Sequence, residues 1–287
     1  MTRTTLQREW RFVDSGPSDG FTNMGLDEAM LYAHEEGMIP PTLRVYGWAP
    51  PALSVGYFQS IAKDVDEQKC LENGIHVVRR ITGGRSVLHK DELTYSVVAS
   101  DGCGFPRDLT GSYTAISQGL IAAYGILGLI VHLAPHRGNH SAAVCFNASS
   151  FSDLTCQGRK IAGSAQFRRG DVLLQHGSLP ISLDARLFFS VLRFPSISSR
   201  EKAMAVFGQR ATCITEMLGR SVSLLELKEA LFQGFQEAFG TRFYVDTLSP
   251  YEVNLGRVLA AEKYNKLGYH QDRHEHENVR SSIATTA

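Results

Sequence analysis

Residues 141–166 read SAAVCFNASSFSDLTCQGRKIAGSAQ, two thiols and an ammonium among small, uncharged neighbours. A thiolate is a strong nucleophile, and a nearby cation favours it over the thiol. Cys145 and Cys156 are the candidate nucleophiles, and Lys160, leading a strand-like run, is the candidate cation. Each has an ordinary alternative: free cysteines are most often small buried hydrophobes, and a lysine at a strand edge usually faces solvent. No histidine or aspartate at a papain-like spacing marks Cys145.

Two further stretches could bind a substrate. In RRITGGRSVLHKDELTYS (79–96), Gly83 and Gly84 let a ligand approach the main chain, and Arg79, Arg80 and Arg85 suit an anionic or carbonyl-bearing group. Taken alone, this equally reads as a hairpin turn. In GRKIAGSAQFRRGDVLLQHGSLPI (158–181), Gly163-Ser164-Ala165 offers almost no side-chain bulk, a wall for a narrow apolar tunnel. Gln175, His176, Gly177 and Ser178 put polar groups and a permissive glycine on the partner strand. There is no Walker A loop and no G-x-G-x-x-G, and Ser164 is not in a G-x-S-x-G elbow.

The elements that would position these residues alternate strand and helix patterns. EWRFVDS opens a strand, and a helix follows over 22–37, capped by Thr22 or Asn23. TLRVYGW and ALSVGYFQ suggest a hairpin about Ala49-Pro50-Pro51. A short helix closes at Asn73-Gly74, strands flank residues 82–85, and an apolar helix covers about 112–128. Arg169-Gly170-Asp171 joins two strands. Ser223…Glu226 and Ser249…Glu252 open two late helices as capping boxes, the second with Pro250 at its first position. The pattern is α+β, a mixed sheet with flanking helices and a short helical C-terminal part. A catalytic domain is expected over 20–245, a packed helix over 246–270 and a disordered polar tail over 271–287; His270, His274 and His276, after Gly268, read as solvated rather than metal-binding.

Composition narrows the function. The 287 residues carry zero formal net charge, 43% hydrophobic and 20% charged residues, so neither a nucleic-acid footprint nor a polybasic membrane surface is expected. The apolar stretch 120–133 is too short to span a bilayer. Five scattered cysteines without a CxxC pair argue against a disulfide framework or zinc site and fit a cytoplasmic protein.

Taken in order, NMGLDEAML, LRVYGWAPPALSVGYFQ, RRITGGRSVLHKDELTYSVV, CF at 145–146, GRKIAGSAQFRRGDVLLQHGSLPI and LAAEKYNKLGY resemble the superfamily of lipoate–protein ligases, octanoyltransferases and biotin–protein ligases. Within it they look most like the cysteine-dependent octanoyl-[acyl-carrier-protein]:protein N-octanoyltransferases of the LipM type. The resemblance implies the biotin/lipoate protein ligase-like catalytic fold. Cys145 matches the acyl-accepting nucleophile and Lys160 the lysine that lowers its pKa. Arg80, Gly83, Gly84, Arg85, His89, Gly163, Ser164, Ala165, Gln166, His176 and Gly177 match the substrate-binding positions. The implied donor is octanoyl-acyl carrier protein and the acceptor the glycine cleavage H protein or a lipoyl domain, with no cofactor or metal and a monomeric enzyme. Cys156 has no counterpart role. Arg85 replaces the third glycine of the ligases' motif, which favours transferase over ATP-dependent lipoate ligase; a non-catalytic acyl-binding relative is the third reading. Lys90 stands where an acid usually follows the histidine, which bears on partner choice.

Overall fold

The computed structural model describes residues 9–134, 153–266 and 269. The chain opens with β1 (Glu9–Ser18), α1 (Gly20–Glu35), β2 (Thr42–Trp48), β3 (Ala52–Val55), α2 (Ile61–Asp64) and α3 (Glu67–Glu72). It continues through β4 (His76–Arg79), β5 (Val87–His89), β6 (Glu92–Ser100), α4 (Leu109–Ile126) and β7 (Val131–Leu133). After the undescribed stretch come β8 (Leu154–Cys156), β9 (Arg159–Arg169), β10 (Val172–Pro180), α5 (Ala185–Ser190), α6 (Ile197–Arg210) and α7 (Ile214–Leu218). The last elements are α8 (Leu224–Phe239), β11 (Arg242–Asp246), α9 (Pro250–Leu259) and one π-helical turn, Ala260–Tyr264.

Eight strands form a mixed sheet in the order β11-β1-β2-β6-β10-β9-β8-β7, and a smaller sheet runs β4-β3-β5. The α+β expectation holds. The main core lies between the large sheet and the α4–α8 pair, whose backbones approach closely because Gly234 leaves room for Ala123. α1 is clamped to α9, where a Cβ on Gly25 would meet the Gly256 carbonyl at 2.3 Å. A second core joins the small sheet to α5 and α6 through Phe188, Phe189 and Phe207.

Several local expectations are corrected. Asp19, not Thr22 or Asn23, caps α1, its carboxylate accepting from Phe21 N and Thr22 N; Asn23 instead donates to the Ser18 and Gly47 carbonyls. β2 and β3 make no hairpin. β2 pairs with β1 and β6, while β3 leaves the large sheet to become the centre of the small one. The turn at Gly83-Gly84 is likewise no hairpin, because β4 and β5 flank β3 on opposite sides. The run 86–100 breaks into two strands in different sheets. Ser223 accepts from Glu226 N, but the Glu226 carboxylate turns to Arg220, so only Ser249–Glu252 forms a reciprocal box. Glu252 also pairs with Arg11 inside the protein, tying α9 to β1.

No helix among the described residues is long and apolar enough to cross a membrane. The tail 271–287 lies outside them.

Candidate active site

Strand register builds the site. β9 and β10 oppose Gly163 to Ser178 and Ala165 to His176; β6 continues these rows with Thr94 and Ser96, and β2 with Tyr46 and Arg44. Directly opposed residues share a sheet face. That face floors a cavity of about 620 Å³, roofed by β5 and the α5–α6 region and reached by Arg80, Gly84, Arg85 and Lys160. The alternate residues of β9 point the other way. Ser164 Oγ accepts from Tyr95 Oη at 2.7 Å, and Gln166 bridges Ser112 and Gln175. Ser164 therefore walls the cavity with backbone, and Gln166 is not in its lining. Gly177 must be a glycine, since a Cβ would lie 2.4 Å from Ser164 Oγ and 2.8 Å from the Gly163 carbonyl.

Lys160 is set by a tight hairpin. Cys156 pairs with Arg159 across Gln157 and Gly158, both at positive φ, the two-residue turn that matches strand twist. It brings Asp153 back beside β9, where its Oδ1 lies 2.7 Å from Lys160 Nζ. Asp153 is buried, the ammonium about one third exposed. The ammonium lies over Gly163, where a Cβ would come within 2.8 Å of both Cε and Nζ. The missing side chain at 163 is therefore the space Lys160 occupies.

Two carboxylate–imidazole–hydroxyl chains border the cavity. In one, Asp27 Oδ2 accepts from His176 Nδ1 at 3.0 Å, and His176 Nε2 accepts from Thr82 Oγ1 at 2.7 Å. Asp27 also receives Arg44, Tyr46 and Ser96. In the other, His89 Nδ1 lies 3.0 Å from Glu92 Oε1 and its Nε2 lies 2.8 Å from Ser54 Oγ. Glu92 also accepts from the Thr94 and Ser178 hydroxyls. Glu92 thus supplies, three residues on, an acidic partner for the histidine that Lys90 follows.

Burial pushes His176 below the ordinary imidazole value, Asp27 opposing. Burial alone would raise Asp27, but the His176 hydrogen bond and the Arg44 guanidinium outweigh it and hold the carboxyl low. Glu28 is held low likewise, Lys263 outweighing burial. All three make the unfolded chain bind more protons than the folded one as pH falls. Stability is thus expected to be greatest at neutral pH, to drop below about 6.5 as His176 resists charging, and again below about 4 as the carboxylates protonate. Thermal melts across pH at fixed ionic strength check this; a midpoint that stays level from neutral pH to about 5 would contradict the buried neutral His176.

The Gly-Gly turn is braced from below. Arg80 donates to the Ser54 carbonyl and hydroxyl and to the Gly83 and Arg85 carbonyls; Arg79 donates to the Gly56, Tyr57, Gln59 and Tyr269 carbonyls. Both arginines are buried and shape the turn, whereas Arg85, which also lines the cavity, is exposed. Gly83 holds the turn through its carbonyl and does not line the cavity.

Cys145 lies outside the described residues. Cys156 is buried on β8, and burial raises its thiol further above the reactive range. Cys156→Ala is expected to keep full acyl-transfer activity; a large loss in a transfer assay would show that the wrong thiol has been set aside.

Residues 19–236 match the model of the lipoyl protein ligase A/B catalytic domain family. The chain is 44% identical over 260 residues to octanoyltransferase LipM of Moorella thermoacetica, covering 88% of this chain and 94% of that one. It is 40% identical over 269 residues to octanoyltransferase LipM of Bacillus subtilis, covering 90% and 97%. The chain belongs to the LipM octanoyltransferase family. Among solved structures, the bipartite lipoate protein ligase of Thermoplasma acidophilum, studied with its E2 lipoyl domain, superposes with a TM-score of 0.77 at 26% identity, covering 92% of this chain and 96% of that one. The family expected from the ordered motifs is therefore the family found.

In this LipM-family chain, sequence reasoning gave no site role to Asp153, Asp27, Arg44 or Ser54, and noted Glu92 only as one of two acids that follow Lys90. Two carried a visible signal. Arg44 is a charge inside an apolar strand, which demands a buried partner, and Gln157-Gly158 between short strand patterns marks the hairpin that returns Asp153 to Lys160.

Proposed function

We propose that the chain moves an octanoyl group from its thioester on acyl carrier protein to a lysine of a lipoyl-accepting protein, through a thioester on Cys145. The observation that carries this is the Lys160 ammonium, anchored by Asp153 over Gly163 on the floor of a cavity of acyl-chain scale. An ammonium there would favour a thiolate on Cys145 and stabilise the oxyanion that forms at the acyl carbonyl. The Cys145 sulfur attacks the carbonyl carbon, the bond to the carrier sulfur breaks, and the carrier leaves as its thiol. The acceptor amine then attacks the octanoyl-enzyme, the bond to Cys145 breaks, and an amide remains. Thioester to amide is downhill, so the reaction needs no nucleotide.

Family membership supports octanoyl as the group moved. The lipoyl domain paired with the T. acidophilum ligase supports that domain, or the glycine cleavage H protein, as acceptor. Four free cysteines among the described residues support action in a reducing cytoplasm. The enzyme is taken to act as a monomer. Substrate binding is assigned to Gly84, Arg85, His89, Gly163, Ala165 and His176 directly, with Arg80, Gly83, Ser164 and Gly177 shaping the wall.

The test supplies octanoyl-carrier and an H protein or lipoyl domain without ATP. Octanoylation of the acceptor lysine is expected by mass spectrometry. Modification that appears only with free lipoate and Mg-ATP would make the chain a ligase, and binding without transfer would make it a non-catalytic relative.

A further inference from the structure

The amide-forming half of this reaction has an unmet requirement. An acceptor lysine arrives as an ammonium without a lone pair, and must lose a proton before it can attack. Lys160, itself paired as an ammonium to Asp153, is no proton acceptor in that state. The cavity must supply another base.

The chain Glu92–His89–Ser54 meets the requirement, and all three residues line the cavity. Its hydrogen-bond directions follow from chemistry. Arg80 can only donate, so Ser54 Oγ accepts from Arg80 Nη1 at 3.0 Å, and in the neutral ring with its Nδ1–H on Glu92 the bare His89 Nε2 accepts from the Ser54 hydroxyl. Glu92, already accepting from Thr94 and Ser178, takes the His89 Nδ1 proton. The free lone pair of the imidazole therefore points through Ser54, and the carboxylate behind it is placed to stabilise the imidazolium that would form. Trp48 stacks on the ring at 4.0 Å and 17°, fixing its plane. Ser178, which donates to Glu92, is opposed in register to Gly163, under the Lys160 ammonium. The relay thus reaches the place where the carbonyl would be held.

We propose that His89 is the base of the amide-forming step, acting through the Ser54 hydroxyl. The acceptor ammonium gives a proton to Ser54 Oγ as the serine proton passes to His89 Nε2. The freed lone pair attacks the thioester carbonyl, the carbon–sulfur bond breaks, and the sulfur leaves as thiolate. The second amine proton goes to that thiolate, and His89 releases its proton to water, so one proton is lost per amide formed.

This rests on the Cys145 thioester of the preceding subsection, and the experiment separates the two. Octanoyl-enzyme is prepared from octanoyl-carrier and followed by intact mass, then mixed with the acceptor protein or with hydroxylamine, an amine already neutral at pH 7. His89→Gln is expected to slow transfer of octanoyl to the protein lysine about 10²-fold more than it slows formation of the octanoyl-enzyme or its reaction with hydroxylamine. Glu92→Gln, which keeps the shape, is expected to slow the same step by about 10-fold or more. Equal loss in both half-reactions, or of hydroxylamine reactivity, would make His89 structural and overturn the proposal, as would unaltered transfer to lysine. Failure of the unaltered enzyme to form the thioester would count against the Cys145 reading instead.

Discussion

Lys160→Met is expected to slow formation of the octanoyl-enzyme by about 10²–10³-fold, the scale of losing one preorganised charge at a developing oxyanion. The ammonium is held by geometry on three sides: the Asp153 carboxylate at 2.7 Å, the open space over Gly163, and the hairpin at Gln157-Gly158 that sets both residues. Methionine fills much of the same volume without the charge, so the cavity keeps its shape while the cation proposed to favour the thiolate is removed. One complication is built in, because removing the lysine takes the cation away from a buried carboxylate. The double variant Lys160→Met/Asp153→Asn removes that cost. Its melting temperature should return towards that of the unaltered protein while acylation stays low. Single-turnover mass spectrometry and thermal melts read the two effects separately. Acylation at the unaltered rate in the double variant would sink the role given to Lys160.

Asp27→Ala is expected to be the most damaging change to the scaffold, costing about 3–5 kcal/mol, because it breaks a buried ion pair by removing one member. The Arg44 guanidinium is completely buried and, among the described residues, keeps Asn23 and Ser15 as its other hydrogen-bond partners. The same carboxylate holds His176 Nδ1, so its loss also frees the ring that supports Thr82 beside the Gly-Gly turn. Stability and activity should therefore fall together. Urea unfolding measures the first, and a loss under about 1 kcal/mol would show that the site is not braced through Asp27.

Much of this was legible in the sequence, unevenly. Small residues at 163–165 announced a wall because strand alternation is rigid, yet the same alternation turned Ser164 and Gln166 to the far face, and no local pattern says which face a strand of small residues will bury. Lys160 was found from the order of motifs; Asp153, seven residues away, required the β8–β9 turn to be recognised first. The arginines of the Gly-Gly turn looked like anion ligands because their charge is visible, whereas their use on backbone carbonyls is a property of the fold. The false hairpin at Ala49-Pro50-Pro51 has a similar origin. Two adjacent strand patterns pair only if their other neighbours do not, and here β6 takes β2 while β4 and β5 take β3.

The central claim is a covalent octanoyl intermediate on Cys145, formed without nucleotide. Its most direct test is the intact mass of the full chain after incubation with octanoyl-carrier alone. The account predicts one octanoyl adduct, released by hydroxylamine, present in Cys156→Ala and absent in Cys145→Ala. No adduct on the unaltered chain, or an adduct that persists in Cys145→Ala, would contradict it.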